Sequence, residues 1–186
     1  QSSGRLDKIQ IFFSCDALGP EGEYVRTGLD LQVAIPNFEH ILYNTQIEQA
    51  INSALTVTAV PGMPEMVRYI NKCNKVKPIY WSMMKANEHE FGIRPYLYPG
   101  IFGNKINDWG LREAIEMFDT KSFGYPDSVK VSHQKFMIGN MKEFAKREPN
   151  LLRQKQLKIY LNELDRRRGT NWKTIYPQIW NLVKDL

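Results

Sequence analysis

Three stretches of the chain have the apolar spacing of β-strands. In the first, Ile11 and Phe13 alternate with Phe12 and Ser14, so that successive side chains point to opposite faces. The second lies in the β-branched segment INSALTVTAV, and the third is PIYWSMM, both typical of strands. The predicted strands are residues 8–14, 51–58 and 78–84.

Helical spacing separates these strands. Phe38 and Leu42 lie one turn apart on a segment in which Pro36 suits the first helical turn. After the second strand, Ile70 belongs to the apolar stripe of a helix that Pro64 can open. The predicted order is therefore βαβαβ. Crossovers of this length join parallel neighbours, so we expect an α/β fold with three adjacent parallel strands.

The second half of the chain is predicted to be mainly helical. The segment RPYLYP could hold a short strand ending near Tyr98, and Asp108 suits the cap of the helix that follows. Two long helices are separated by Pro149, and Gly169 ends the second. We expect a sheet-bearing region at 1–120 and a helical tail at 121–186. The tail helices are predicted at 133–147, 151–168 and 177–185.

Composition and charge narrow the class of protein. The chain has 186 residues, 42% of them hydrophobic and 24% charged, which is typical of a globular domain. No apolar run approaches the roughly 18 residues that a membrane span needs. Two distant cysteines, Cys15 and Cys73, do not form a disulfide framework and favour a reducing, cytoplasmic setting. The Gln1 start suggests that the natural N-terminus lies further upstream.

Candidate ligand-binding residues cluster at the predicted carboxyl ends of the strands, where parallel α/β folds bind ligands. Ser14 and Asp16 could present a hydroxyl and a carboxylate on one strand face, and Arg26 could grip a ligand carboxylate. Thr56 and Thr58 end the second strand. The alternatives are a turn at Asp16, a surface ion pair from Arg26 to Glu21 or Glu23, and threonines that serve only as β-formers.

Other site chemistries have less support. The histidines, His40, His89 and His133, have no partners at metal-ligand spacing, and no phosphate-binding glycine motif occurs. The net charge of +5 is concentrated at the end of the chain: residues 111–186 hold fifteen Lys or Arg against nine Asp or Glu. There, Arg166, Arg167 and Arg168 near Trp172 and Tyr176 could grip nucleic acid, although a solvated helix end explains them better.

Part of the sequence resembles a known enzyme family. The stretches IFFSCDALGPEGEYVRTGLDLQVAIPNFEHIL and INSALTVTAVPGMPEMVRYIN are similar to the middle of the radical S-adenosylmethionine enzymes. In that family a strand ends in Ser-x-Asp, and the next loop carries a Y-x-R motif, here Tyr24 to Arg26. The resemblance covers roughly residues 8–120. The tail segment LDRRRGTNWKTIYP resembles the closing part of the twitch-type subgroup.

The resemblance implies half of a partial TIM-type barrel with a helical C-terminal tail, a four-iron-four-sulfur cluster and S-adenosylmethionine. Cleavage of the cofactor would yield a 5′-deoxyadenosyl radical that abstracts hydrogen from an unknown substrate. The resemblance also implies roles for the candidate residues. Ser14 and Asp16 would lie on the ribose side of the cofactor and Arg26 at its methionyl carboxylate. Thr56 and Thr58 would line the same cofactor cavity.

The cysteines depart from the family pattern. The family holds its cluster by C-x3-C-x2-C, whereas this chain has only Cys15 and Cys73. We therefore expect a C-terminal half that lacks the N-terminal, cluster-binding half of the same polypeptide, binds no metal and is inactive alone. The alternative is a cluster-free α/β binding protein, or an accessory domain that contacts nucleic acid through its basic tail.

Overall fold

The computed structural model describes residues 9–85, 94–119 and 127–186. Its order begins β1, α1, α2, β2, α3, β3 and continues with five further helices, α4 to α8. The strands are β1 (Gln10–Ser14), β2 (Glu48–Leu55) and β3 (Tyr80–Lys85). The helices are α1 (Pro20–Val25), α2 (Leu31–Asn44), α3 (Met63–Asn74), α4 (Leu111–Asp119), α5 (Asp127–Phe144), α6 (Leu151–Arg168), α7 (Trp172–Ile175) and α8 (Pro177–Val183). Short 3₁₀ helices occupy Val60–Gly62, Pro95–Leu97 and Pro99–Trp109.

The three strands form one parallel sheet in the order β1-β2-β3. Phe12 lies opposite Ala50, which lies opposite Tyr80 in the third strand. The α/β class and the three adjacent parallel strands are thus confirmed. The second strand begins at Glu48 and ends at Leu55, earlier at both ends than its β-branched composition predicted.

Helices cover one face of the sheet. Ile51 and Trp81 on that face are almost fully buried, together with Met66 and Ile70 of α3. The indole of Trp81 stacks on Phe118 of α4 with ring centroids 5.2 Å apart. The core therefore lies between the sheet and the helices.

On the opposite face, large side chains of the described residues are exposed in both outer strands, whereas Ala50 in the central strand is fully buried. Phe12 is 51% exposed, Tyr80 39% and Met84 65%. These positions share a face with Ser14 and Asn52, because paired residues of a parallel sheet point to the same side. Parallel sheets are normally covered on both faces, so this sheet is a half-covered layer.

Capping, rather than proline, sets the start of α2. Asp30 accepts hydrogen bonds from the amides of Gln32 and Val33, so the helix begins at Leu31 and Pro36 lies inside it. The prediction that Pro36 occupies the first turn was therefore wrong. An Asp N-cap satisfies two otherwise unpaired amides, which places the start five residues earlier.

Two other local predictions were wrong. The segment around Tyr98 forms a 3₁₀ helix, Pro95–Leu97, and no strand. Asp108 lies within the 3₁₀ segment that ends at Trp109, where it pairs with Arg112, and Gly110 separates it from α4. Proline at a first helical position favours a tight turn of helix. The alternating tyrosines of RPYLYP resemble a strand pattern and led to the wrong prediction.

The helical tail agrees with its prediction more closely. Helix α6 spans Leu151–Arg168 and ends at Gly169, whose positive φ of 66° suits glycine. The preceding helix α5 begins at Asp127, six residues before the predicted start. The helix predicted at 177–185 corresponds to α8, Pro177–Val183, and the short helix α7 precedes it. None of the helices in the described part of the chain is both long and apolar enough to span a membrane.

Candidate functional site

Asp16 lies two residues beyond the end of β1. Its side chain contacts both Ala54 of β2 and Arg26 after α1. Its side chain is only 5% exposed. One carboxylate oxygen, Oδ1, accepts the Ala54 amide at 2.6 Å and Arg26 Nη2 at 2.9 Å. The carboxylate is therefore satisfied by one backbone donor and one cation, as a buried charge requires.

Arg26 follows α1, and the structure brings it to the carboxyl edge of the sheet. It pairs with Asp16 rather than with Glu21 or Glu23, the surface partners that sequence spacing allowed. Its Nε atom is buried and has no hydrogen-bond partner among the described residues. Because a guanidinium has five donors in a planar fork, Arg26 retains donors for an anion while Asp16 holds the other side.

Close backbone packing seats the loop between Asp16 and Arg26. A Cβ atom on Gly22 would lie 2.0 Å from the Ala17 carbonyl oxygen, and one on Gly62 would lie 2.6 Å from Ala17 Cβ. Only residues without a Cβ allow these approaches. The loop is therefore pressed onto the start of α3.

Ser14 has a different environment from Asp16. It is exposed on the open face of the sheet, paired with Asn52 in β2, whereas Asp16 is buried. The strand alternation that predicted a shared face stops at Ser14, where β1 ends. Asn52 and Ser82 lie beside Ser14 in the register, and sequence reasoning missed both. The alternation in INSAL and YWSMM would have found them.

The two threonines lie beyond β2, because that strand ends at Leu55. Both are buried, and their hydroxyl oxygens are 2.9 Å apart. Thr56 follows Ala54, whose amide binds Asp16, by two residues. The prediction that they end a strand was wrong, and their hydroxyls hydrogen-bond to each other.

Both cysteines lie in the hydrophobic core. Burial, together with the neighbouring charge of Asp16, raises the pKa of the Cys15 thiol to about 12, and burial raises the pKa of Cys73 to about 11. Neither is a thiolate at neutral pH. A site-differentiated iron–sulfur cluster needs three thiolate ligands, so two buried thiols do not fit it. Within the described ranges, no group of three or more His, Cys, Asp or Glu side chains could hold a metal ion.

Two of the three histidines lie in described helices. His40 is on α2, where its ring lies 3.4 Å from the side-chain amide nitrogen of Asn44. His133 is on α5, and His89 falls outside the described residues.

The basic run at the end of α6 divides into two parts. Arg166 and Arg167 both pair with Glu163, and their hydrogen bonds lower the pKa of that carboxyl to about 2. Arg168 instead donates to the Tyr24 carbonyl oxygen at 2.8 Å. Trp172 and Tyr176, which the sequence offered as aromatic partners for nucleic acid, are fully buried and so present no face for base stacking.

A separate cavity of about 560 Å³ lies between the Pro99–Trp109 segment and the start of α6. Tyr98, Lys146 and Arg153 are among its lining residues. None of Ser14, Asp16, Arg26, Thr56 and Thr58 is among its lining residues.

Comparison of the chain with protein-family models, with curated proteins and with solved structures finds no match.

Proposed function

We propose that this chain is the C-terminal half of a radical S-adenosylmethionine enzyme, in which the Asp16–Arg26 edge binds the cofactor. The observation that carries the proposal is the ion pair itself, at 2.9 Å, at the carboxyl edge of a parallel sheet. Arg26 lies ten residues beyond Asp16, and the segment between them folds back so that the guanidinium lies beside the end of β1. That is where parallel α/β folds bind their ligands.

The open face of the sheet supports the half-barrel reading. Phe12, Tyr80 and Met84 expose apolar surface on a face that parallel sheets normally cover. The missing N-terminal half of the same polypeptide would supply the remaining strands of a partial TIM-type barrel. In the closed barrel this face of the sheet would point to the interior, and Ser14 and Asn52 would line that interior.

The geometry divides the roles of the site residues. The Arg26 side chain is 36% exposed, and the guanidinium donors that Asp16 does not use suit the methionyl carboxylate of S-adenosylmethionine. Asp16 neutralises and orients the guanidinium. The exposed hydroxyl of Ser14 suits the ribose, with the carboxamide of Asn52 beside it. Thr56 and Thr58 form the buried support behind the edge.

The residues of this chain do not fit the iron–sulfur cluster, so its ligands are assigned to the missing half. A cluster held by that half would supply redox chemistry to the bound cofactor. This chain contributes cofactor binding and orientation. Alone, it is proposed to be inactive.

The test uses two lengths of the protein, this chain and a form extended upstream through a C-x3-C-x2-C segment. After anaerobic reconstitution, we expect iron and 5′-deoxyadenosine formation only in the extended form. Arg26→Ala in that form retains iron but weakens S-adenosylmethionine binding by about 1.5–3 kcal/mol, the usual contribution of a hydrogen bond to a charged group. Arg112→Ala, which removes an exposed pair with Asp108, is the matched control.

Two results would contradict the proposal. One is stoichiometric iron and deoxyadenosine from the 186-residue chain alone. The other is unchanged affinity in Arg26→Ala. Binding of S-adenosylmethionine without any iron in the extended form would favour the alternative, a cluster-free α/β binding protein.

A further inference from the structure

Tyr24 lies two residues before Arg26, and the helical tail holds it at both ends. Its phenol donates to Asp165 Oδ1 at 3.1 Å and approaches the Leu161 carbonyl at 3.4 Å. Its own carbonyl oxygen accepts Arg168 Nη1 at 2.8 Å. These partners are more than 130 residues away in sequence, and Tyr24 is only 5% exposed.

A second tyrosine adds a further contact to the same short helix. The Tyr176 hydroxyl donates to the Glu21 carbonyl oxygen at 3.2 Å. Its ring meets the Tyr24 ring edge-on, with centroids 5.5 Å apart. Helix α1 is thus bound by the tail at its start and at its end.

The tail itself is a connected unit at this point. Asp165 also accepts the Thr170 hydroxyl at 2.7 Å and the Trp172 amide at 2.8 Å. These bonds join the end of α6 to the start of α7 across the turn at Gly169. A carboxylate bound by several donors has little freedom to reorient, so the partner of Tyr24 is held in place.

We infer that the C-terminal tail positions Arg26, and that Asp165, Arg168 and Tyr176 are positioning residues that act through α1. The inference rests on the proposed function of Arg26, because it concerns how that side chain is presented to a ligand. The hydrogen bonds of these three residues to α1 reach Glu21 and Tyr24.

The length of α1 explains why it needs external support. The helix has six residues, far fewer than the dozen or more that a helix needs for stability of its own. Without the tail contacts, the loop samples open conformations in which Arg26 leaves Asp16. Ligand affinity then falls in proportion to the fraction of molecules that still hold the competent conformation.

The first arm of the test measures the loop itself. Hydrogen exchange is followed by mass spectrometry in the peptide that covers residues 19–29, with β2 as the internal reference. Arg168→Ala and Tyr24→Phe are compared with Arg167→Ala, which alters the adjacent residue but only a solvent-exposed pair with Glu163. We expect about tenfold faster exchange of the loop in the first two variants, with no change in β2 or in the control. Unchanged loop exchange would overturn the inference.

The second arm measures S-adenosylmethionine affinity in the upstream-extended protein. We expect Arg168→Ala to lose about tenfold and Arg167→Ala to lose nothing, while Arg168→Lys, which keeps a cationic donor, recovers part of the loss. Faster loop exchange in Arg168→Ala with full affinity, while Arg26→Ala loses affinity, would overturn the positioning role. If the loop of Arg168→Ala exchanges faster but both Arg168→Ala and Arg26→Ala keep full affinity, the tail does stabilise the loop. In that case the proposed function of Arg26 in cofactor binding is overturned.

Discussion

The two faces of the three-stranded sheet differ sharply. On one face, Ile51 and Trp81 are at most 1% exposed under the helices. On the other, Phe12 of β1 and Met84 of β3 are at least half exposed, although they belong to the same sheet. Because successive side chains of a strand point to opposite faces, one face of the sheet is covered by helices while large apolar side chains on the other are exposed. The open face, with its hydroxyls and carboxamide beside apolar side chains, is suited to being covered.

The largest expected difference between the two faces comes from neighbouring phenylalanines. Phe13 packs its ring on Phe38 with centroids 5.3 Å apart, while Phe12 is exposed. Phe13 is partly buried against the core, so we expect Phe13→Ala to lower the free energy of unfolding by about 2–3 kcal/mol, at or below the lower end for a fully buried phenylalanine. Phe12→Ala should cost less than about 1 kcal/mol. Urea unfolding of both variants measures the difference, and equal losses would mean that both faces are covered.

The second prediction concerns the carboxyl edge of the sheet, where Asp16 pairs with Arg26. Asp16→Ala leaves the Ala54 amide and the Arg26 guanidinium without their acceptor. We expect it to cost about 2 kcal/mol of unfolding free energy, and Asp16→Asn, which keeps an acceptor for the amide, to cost less. Glu163→Ala, on an exposed pair, should change stability by no more than about 0.5 kcal/mol. A loss in Asp16→Ala as small as that in the control would show that the edge is not organised by the carboxylate.

Alkaline pH gives a smaller effect that is specific to the covered face. The folded pKa of Cys15, about 12, lies above its ordinary value of 9.0. The unfolded thiol therefore loses its proton first, and folding stability falls as pH rises from about 9 towards 12. At pH 10 the contribution is about 1 kcal/mol. The urea midpoint should fall less between pH 8 and pH 10 in Cys15→Ala than in the parent chain, with the remaining fall coming in part from Cys73, whose pKa is also raised. An identical pH dependence in both proteins would contradict the burial argument.

The smallest stability effect is expected on the open face, where association is the more sensitive measurement. Exposed apolar side chains on an uncovered sheet favour self-association. We expect Phe12→Lys to reduce the association of this chain in sedimentation experiments while leaving its urea midpoint nearly unchanged. Gln10→Lys, on the same exposed face, controls for the added charge. Equal effects of both variants would mean that charge, and not the apolar patch, governs association.

The sheet could be predicted from the sequence because its determinants are local. Alternation around Phe13 and the helical stripe through Ile70 each depend on a few neighbouring residues. The start of α2 was missed because Asp30 supplies a cap that overrides the usual place of a proline such as Pro36. The strand predicted near Tyr98 failed for a similar reason, since a proline opens a 3₁₀ turn there.

The candidate site could be predicted only in part. Asp16 and Arg26 were nominated from their place in the chain, but their direct pairing depends on how the loop folds back over Ala17. The link from Tyr24 to Asp165 spans 141 residues, and no local pattern encodes a contact of that kind. Tertiary packing of the tail onto α1 therefore became visible only in the structure.

The most direct test of the half-barrel account is the accessibility of the open face in the two lengths of the protein. A Ser82→Cys variant places a thiol on that face, while Cys15 and Cys73 are buried and protonated. Labelling with a thiol reagent is followed in the peptide that contains residue 82. We predict fast labelling in the 186-residue chain and at least about tenfold slower labelling in the upstream-extended protein, because buried groups react only on opening. Equally fast labelling in both would contradict the account.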